Sequence, residues 1–147
     1  MHSEQNENLP EYSFALKRIQ TVEKNLTLIT SKVDPVDLGF DITLNVKLDI
    51  PKKISAHFMS VTISNKQISK TIASLSIVCF FDIDNIEGHT INTGGQLSLP
   101  QPLLNLLNTV VIGTLRGVLY SELRGTLLDN ALLPVLDPRK FQRSPNQ

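Results

Sequence analysis

The chain has 147 residues, of which 41% are hydrophobic, and its 14 lysine and arginine residues balance 14 aspartate and glutamate residues. This length is typical of one domain with a real core, and the zero net charge gives no argument for binding to nucleic acid or to an anionic membrane. The absence of tryptophan and the low aromatic content of 5% also disfavour a base-stacking platform.

The chain has one cysteine, Cys79, inside an apolar run, and we interpret it as a buried structural thiol. The absence of a disulfide framework fits a reducing compartment. The polar start lacks the basic and apolar stretches of a signal peptide. No uninterrupted apolar run approaches the roughly 20 residues that span a bilayer. These features predict a cytoplasmic protein without membrane insertion.

The two ends of the chain are polar, and we expect disordered tails at 1–11 and 142–147 around a single domain at 12–141. The first strand signal begins at Tyr12, with Tyr12, Phe14 and Leu16 on one face. Ile19 breaks this parity, which predicts a bulge or a change of face. The pattern continues toward Leu28, so it predicts either one long bent strand or two short strands.

Three further strands are predicted before residue 84. Residues 40–50 alternate strictly between apolar and polar side chains, which indicates a strand with one buried and one solvent-exposed face. Pro51 ends this strand. Residues 54–64 alternate less regularly, and a bulge near Phe58 and Met59 would reconcile the two parities. Residues 70–83 carry an apolar face, and their second half is apolar on both faces.

A long loop is predicted at 84–102, with Gly94 and Gly95 as a flexible turn. A helix with a broad apolar face follows from about Leu103 to Arg124, and Gly125 is a suitable C-cap. Only a short stretch remains after Pro134, so any second helix must be brief. Strands followed by one amphipathic helix indicate an α+β fold: a four-stranded antiparallel sheet packed by one long C-terminal helix.

No constellation of residues in the sequence indicates catalysis. The three histidines His2, His57 and His89 have no neighbours at metal-ligand or triad-like spacing. Asp82 and Asp84 lack the ligand count of a calcium loop, and the basic pair at 52–53 is too short for nucleic acid. We therefore expect no enzymatic activity, no metal and no cofactor.

The order and spacing of several segments resemble the SecB family of protein-export chaperones. The opening Phe14–Ile19 looks like the family's first strand, and Phe80–Gly88 is similar to its fourth-strand exit into an Ile-Glu-Gly turn. The leucine-rich helix ending in Arg124–Thr126, followed by Leu132–Val135 and Phe141, resembles the long helix, the crossover loop and the start of a second helix. The likeness covers about Tyr12 to Phe141 and is nearest to the divergent SecB-like proteins.

The resemblance implies a dimer of dimers that holds unfolded or precursor polypeptides in apolar grooves between sheet and helix, without ATP. The export members contact the SecA motor through an acidic surface and a C-terminal tail. Here the net charge is zero and the tail after Phe141 is short. Coupling to SecA is therefore in doubt, and a chaperone dedicated to an antitoxin is an alternative.

Two residue sets follow from this interpretation. The predicted client-binding residues lie on the first strands: Phe14, Leu16, Ile19, Leu26, Leu28 and Phe40. The predicted oligomer interface lies on the helix: Leu107, Val111, Gly113, Leu115, Gly117 and Val118. Gly113 and Gly117 are four residues apart, which permits close helix contact with a partner but equally permits tight packing on the protein's own sheet.

Two other interpretations remain open. An oligomeric adaptor or structural protein on the same fold would fill its grooves with its own side chains and would not bind unfolded chains. A small-molecule-binding domain or an enzyme has only the long loop at 84–102 in its favour.

Overall fold

The computed structural model describes residues 11–141, and both predicted tails lie outside this range except for residue 11. Its elements are six strands and two helices: β1 (Phe14–Leu26), β2 (Leu38–Asp49), β3 (Ile54–Asn65), β4 (Lys70–Ile83), α1 (Ile86–His89), β5 (Ile91–Thr93), β6 (Gln96–Ser98) and α2 (Gln101–Leu123). Single 3-10 turns lie at Pro35–Asp37 and Pro138–Phe141.

The four long strands form one antiparallel sheet in the order β1-β4-β3-β2. Strands β2, β3 and β4 are joined by consecutive hairpins, whereas β1 pairs with β4 along most of its length. The sheet therefore ends in β1 at one edge and in β2 at the other. This is the predicted four-stranded antiparallel sheet, and the bounds of β4 agree with the sequence-based prediction of 70–83.

One face of the sheet packs against α2 and forms the core. The core face of β3 carries Met59, Val61 and Ile63, and that of β4 carries Leu75, Ile77 and Phe81, all nearly or fully buried. The inward side of α2 supplies Leu103, Leu107, Val111, Leu115 and Leu119. Each such side chain contributes about 1.5–3 kcal/mol when it is fully removed from water. The alternating apolar residues of β3 and β4 and the apolar side of α2 thus pack together in a single layer.

Strand β1 is one long bent strand. Its pairing with β4 shifts register between Leu16 and Arg18 and again between Thr21 and Glu23. The residues skipped by these shifts are Lys17 and Val22. The break in parity before Ile19 therefore reflects a bulge, as predicted, because the extra residue returns Ile19 to the face that carries Leu16.

The predicted bulge near Phe58 and Met59 is wrong. Strand β3 pairs with β2 without interruption from Ile54 to Asn65, and its only register shift against β4 lies between Ile63 and Ser64. The apparent change of parity arises because the polar residues Ser55 and His57 occupy the core face. Because both residues are polar, the apolar alternation of the core face breaks at these positions.

The segment predicted as a long loop contains regular structure. It holds the single turn α1 and a hairpin of β5 and β6, which pair from Ile91 to Ser98. Gly94 and Gly95 form the hairpin turn with φ angles of 61° and 87°. Two consecutive residues with positive φ define the tight turn that glycine accepts without steric cost.

The long helix α2 begins and ends within two residues of the predicted bounds, with Pro102 in its first turn. Gly125 follows it with a φ of 75°, as a residue beyond a helix C-terminus commonly does. The 3-10 turn at Pro138–Phe141 stands where the short second helix was predicted.

Helix α2 is long and apolar enough to cross a membrane by length and composition, with a mean hydropathy of 1.4 over its most apolar window. A search for uninterrupted apolar runs does not detect this property, because polar residues interrupt the helix. The core helix of a soluble protein has the same properties, and the inward side of α2 is buried against the sheet. The absence of membrane insertion stays a prediction.

Candidate functional site

The edge strand β1 exposes apolar side chains along its length. Leu16, Ile19 and Leu26 pair with Phe81, Cys79 and Ala73, so they lie on the same face of the sheet as the core. They are nevertheless 37%, 46% and 42% exposed. Helix α2 packs mainly on β3 and β4 and covers β1 only in part. We call Leu16, Ile19 and Leu26 the β1 strip.

Both ends of β1 are fixed to the rest of the domain. Near the start, Phe14 packs edge-on against Phe81 with ring centroids 6.2 Å apart. Near the end, Lys24 forms an ion pair with Glu122 of α2. These contacts hold an extended, partly uncovered strand in place, and its 13 residues span about 40 Å at the rise of a β-strand.

A groove continues from the end of the β1 strip. The segment Leu26–Ile29 faces Gly125–Leu128 across a cavity of about 320 Å³. Leu28 is 93% exposed, and Leu127 is partly exposed on the opposite wall. The structure therefore brings the predicted residues Leu26 and Leu28 together and adds Leu127. A strand-by-strand interpretation could not find Leu127 because only the tertiary fold places it beside β1.

Phe40 does not belong to this surface. It lies on β2, at the opposite edge of the sheet, and its half-buried side chain packs against the subunit's own core. Alternation places Phe40 on an apolar face but does not tell where its strand lies in the sheet, so the residue pattern alone could not separate the two edges. The predicted set of client-binding residues therefore divides into five residues on or just after β1 and one residue on β2.

Three of the predicted interface residues face the wrong way for a subunit contact. Leu107, Val111 and Leu115 are completely buried between α2 and the sheet of their own subunit, and Val118 also packs against this core. The prediction that they form an oligomer interface is therefore wrong for Leu107, Val111 and Leu115. The helical spacing of the apolar residues identified the apolar face of α2 correctly. This face, however, packs against the sheet of the same subunit and not against a second subunit.

Gly113 and Gly117 lie on the opposite, exposed side of α2. A Cβ atom added at either glycine would meet no atom within 4 Å, so these glycines do not pack on the subunit's own sheet. Leu106 and Tyr120 on the same side are 49% and 51% exposed. We call the set spaced by alternating intervals of four and three residues the outer stripe: Leu106, Val110, Gly113, Gly117 and Tyr120. Val110 is half-buried and also packs against the core, whereas the other four are exposed.

A buried polar network links the sheet to α2. Ser55 Oγ lies 2.8 Å from His57 Nε2, and His57 Nδ1 lies 3.1 Å from Asn108 Oδ1. The amide oxygen can only accept, so the Nδ1–H of His57 donates to it and Nε2 accepts from the Ser55 hydroxyl. Burial lowers the pKa of His57 from 6.5 to about 4, although the bond to Asn108 acts in the opposite direction. The imidazole is therefore neutral at pH 7.

This network contains the residue types of a nucleophilic triad, but a substrate cannot reach it. Ser55 and His57 are 0% exposed, so a substrate carbonyl cannot reach the Ser55 hydroxyl. Sequence spacing alone left His57 without partners, because Asn108 is 51 positions away in the chain. The arrangement instead satisfies buried polar groups at the junction of the sheet and α2.

Within residues 11–141, no group of three or more histidine, cysteine, aspartate or glutamate side chains is arranged to hold a metal ion. Cys79 is buried as predicted, and burial raises the pKa of its thiol to about 11. Asp82 lies 3.6 Å from the Lys17 ammonium group. The features that stand out in this part of the chain are therefore apolar surfaces.

The fold can be compared with those of known proteins. No protein-family model matches the chain, and no curated protein matches its sequence. Among solved structures, it is similar to the Mycobacterium tuberculosis Rv1957 SecB-like chaperone, solved with a ChAD peptide from the Rv1956 HigA1 antitoxin. The identity is 15%, the TM-score is 0.59, and the match covers 84% of this chain and 89% of that chain.

The chain has a SecB-like fold. At 15% identity the likeness establishes the architecture alone, and the four-stranded sheet with its long C-terminal helix agrees with it. A protein of unknown function from Streptococcus agalactiae also matches, at 13% identity and a TM-score of 0.44, over 86% of this chain and 98% of that chain.

Proposed function

We propose that this SecB-like chain is an ATP-independent holdase chaperone of the cytoplasm, which binds unfolded or precursor polypeptides and catalyses no reaction. The observation that carries the proposal is the β1 strip, a row of apolar side chains on the core face of the sheet that the rest of the described subunit covers only in part. Thr21 and Lys24 lie between Ile19 and Leu26 on this face, so the apolar surface is interrupted. Exposed apolar side chains grouped on one face in this way mark an interaction site. The antitoxin peptide bound to the structurally similar Rv1957 chaperone supports a polypeptide as the partner.

The chemistry of the surface suits an extended apolar segment. Leu16, Ile19 and Leu26 offer dispersion and hydrophobic contact along one line, and the groove beside Leu28 and Leu127 continues that line. As an edge strand, β1 also directs unpaired backbone N–H and C=O groups outward, which an added strand can use. Such contacts accept many sequences, which is the property that a holdase requires.

We propose that the subunit assembles through the outer stripe into a homo-oligomer, as a dimer of dimers. The stripe combines two exposed large apolar side chains with two glycines that leave open space above the helix. The alternating four- and three-residue spacing is the one that lets two helices pack along their length. No acidic or basic residue belongs to the stripe.

The holdase proposal is tested by light-scattering suppression assays with an unfolded client and no nucleotide. Replacing Leu16 and Ile19 with aspartate should abolish suppression, because charged groups on the strip would have to be desolvated on client binding. The matched control is Gln20→Asp, on the other face of β1. If the wild-type protein does not reduce client aggregation, or if the strip variants match it, the holdase proposal is wrong.

A second candidate is an oligomeric adaptor on the same fold, favoured by the exposed outer stripe. It predicts assembly without affinity for unfolded chains, so the same assay separates the two functions. A chaperone dedicated to an antitoxin would instead suppress aggregation of one client and not of unrelated ones. Export coupling would require a contact with SecA, which a pull-down with the purified motor measures.

A further inference from the structure

The face of the sheet that points away from α2 carries an apolar centre between two cations. Arg18 of β1 lies opposite Phe80 of β4, Phe80 lies opposite Ala56 of β3, and Ala56 lies opposite Lys47 of β2. These four residues form one row across the whole sheet, which we call the transverse row. Its two central residues are apolar, and its two ends are exposed cations on the edge strands.

Aromatic rings hold both cations against the sheet. The Arg18 Cζ atom lies 4.3 Å from the ring centroid of Phe80. The Lys47 Nζ atom lies 5.5 Å from the ring centroid of Phe58, which belongs to the next row along β3. A cation at such a distance is attracted to the negative face of the ring. The two positive charges are therefore held above the sheet before any ligand arrives.

The transverse row opens into a cavity of about 750 Å³. Three apolar and three cationic side chains line it, namely Ile54, Ala56, Phe80, Arg18, Lys47 and Lys52. The lining also contains one carboxylate, Asp49, which accepts a hydrogen bond of 3.3 Å from the backbone N–H of Lys52. Positive charge thus exceeds negative charge beside an apolar floor, so the cavity suits a ligand that combines carboxylates with an apolar group.

The spacing of the two cations defines how such a ligand must be built. The edge strands are three inter-strand spacings apart, so the backbones at Arg18 and Lys47 are separated by about 14 Å. An extended polypeptide covers about 13 Å in four residues, and its residues i, i+2 and i+4 point to the same side. Carboxylates at i and i+4 can therefore reach both cations while an apolar residue at i+2 covers Ala56 and Phe80.

We propose that the transverse row binds an extended, acidic segment of a partner protein, in which an acidic, an apolar and a second acidic residue alternate with other residues. The segment crosses the strands from Arg18 to Lys47. This site lies on the opposite face of the sheet from the β1 strip, and it is independent of the holdase proposal. The two carboxylates give the selectivity, because an apolar segment without them leaves both cations unpaired.

The neighbouring residues favour a protein segment over a nucleic acid strand. Asp49 and Asp82 lie on either side of Ile54 in the adjacent row. A nucleic acid carries a negative charge on every phosphate, so its backbone would approach these carboxylates, whereas two carboxylates four residues apart meet the two cations alone. The cations also cover the ring faces of Phe58 and Phe80, on which bases would have to stack.

The test measures binding of a fluorescein-labelled peptide to the full chain by fluorescence anisotropy. The central five residues of the peptide are glutamate, threonine, leucine, threonine and glutamate. Arg18→Glu and Lys47→Glu should each weaken binding by at least about tenfold, because attraction at one end becomes repulsion. The control Lys66→Glu changes the net charge equally at an exposed position beyond the far end of β3, and its binding should stay within about twofold. Equal weakening by all three variants would show a general charge effect and overturn the proposal.

Two altered peptides test the predicted spacing. Glutamine in place of both glutamates removes the charges at constant length, and moving the two glutamates to adjacent positions keeps the charges but changes their separation. Both peptides should bind at least about tenfold more weakly, because neither can pair with the two cations at once. A peptide with adjacent glutamates that binds as tightly as the original would contradict the crossing geometry.

A measurement on the wild-type protein does not depend on the folding of a variant. With ¹³C-labelled methyl groups, the peptide should shift the resonances of Ala56 and Val78, which lie on the face that points away from α2. Those of Leu26 and Leu28 should not move. Shifts at Leu26 and Leu28 alone would place the peptide beside the β1 strip and overturn the proposal. Shifts at Ala56 and Val78 that follow protein concentration without peptide would assign the row to a second copy and overturn it as well.

The remaining outcomes separate this site from nucleic acid binding and from the holdase proposal. A single-stranded oligothymidylate that displaces the peptide and binds more tightly would assign the row to nucleic acid and overturn the proposal. A protein that binds the acidic peptide at the transverse row but does not suppress client aggregation supports this site and overturns the holdase proposal alone. A protein that suppresses aggregation but does not bind the acidic peptide overturns this site alone.

Discussion

His57 Nδ1 of β3 and Asn108 Oδ1 of α2 lie 3.1 Å apart although the two residues are 51 positions apart in the chain. This bond is a polar contact across a mostly apolar interface between the sheet and the helix. It fixes the imidazole tautomer and, through it, the direction of the Asn108 amide. The relationship between these two residues stabilises the junction of the sheet and α2.

Replacing Asn108 with alanine should destabilise the fold by about 1–3 kcal/mol, because the Nδ1–H of His57 would remain buried without an acceptor. Urea unfolding followed by circular dichroism measures this free energy. Thr109→Ala, at the next and exposed helical position, is the control and should change it by less than about 0.5 kcal/mol. Equal stability of the two variants would contradict a structural role for the bond.

Acid should destabilise the protein through His57. Since burial lowers its pKa from 6.5 to about 4 in the folded state, the unfolded chain binds more protons between these two pH values. The free energy of unfolding should therefore fall as the pH is lowered through this window, by up to about 3 kcal/mol. His57→Gln should flatten this part of the pH profile, whereas His89→Gln should retain it. Parallel profiles for all three proteins would show that His57 is not the group responsible.

Leu107→Ala should cost about 2–5 kcal/mol of folding free energy, because Leu107 is completely buried between α2 and the sheet. Thermal unfolding of the variant measures this loss. The variant should keep the native mass of the wild-type protein wherever it is folded, because its side chain faces the subunit's own core. A folded variant with a lower native mass would show that Leu107 does lie in the oligomer interface.

Gly117→Leu should lower the native mass measured by light scattering. In the isolated subunit the new side chain meets open space, so the fold itself accepts it, but it would separate two helices that approach through the outer stripe. Thr43→Leu, which adds a leucine at an exposed position on the face of β2 that points away from α2, should leave the mass unchanged. An unaltered mass for Gly117→Leu would exclude the outer stripe as the subunit contact.

Much of the fold could be predicted because its signals are local. The strict alternation of residues 40–50 and the apolar face of 70–83 are properties of neighbouring side chains, and the structure places β2 and β4 there. The helix was equally clear, since its apolar residues repeat at helical spacing between Gln101 and Leu123. Ser55 and His57 misled the prediction of β3, because polarity alone indicates a wet face and their partner Asn108 is distant in the chain.

The sequence by itself determined the number, type and approximate bounds of the main elements, because side-chain period is a local property of the chain. Only the tertiary structure decided which surfaces remain uncovered. Leu16 and Leu107 are both apolar residues in periodic segments, yet one is 37% exposed on an edge strand and the other is completely buried. That difference depends on the order of strands in the sheet and on where α2 lies across them, and both are set by contacts between residues far apart in the chain.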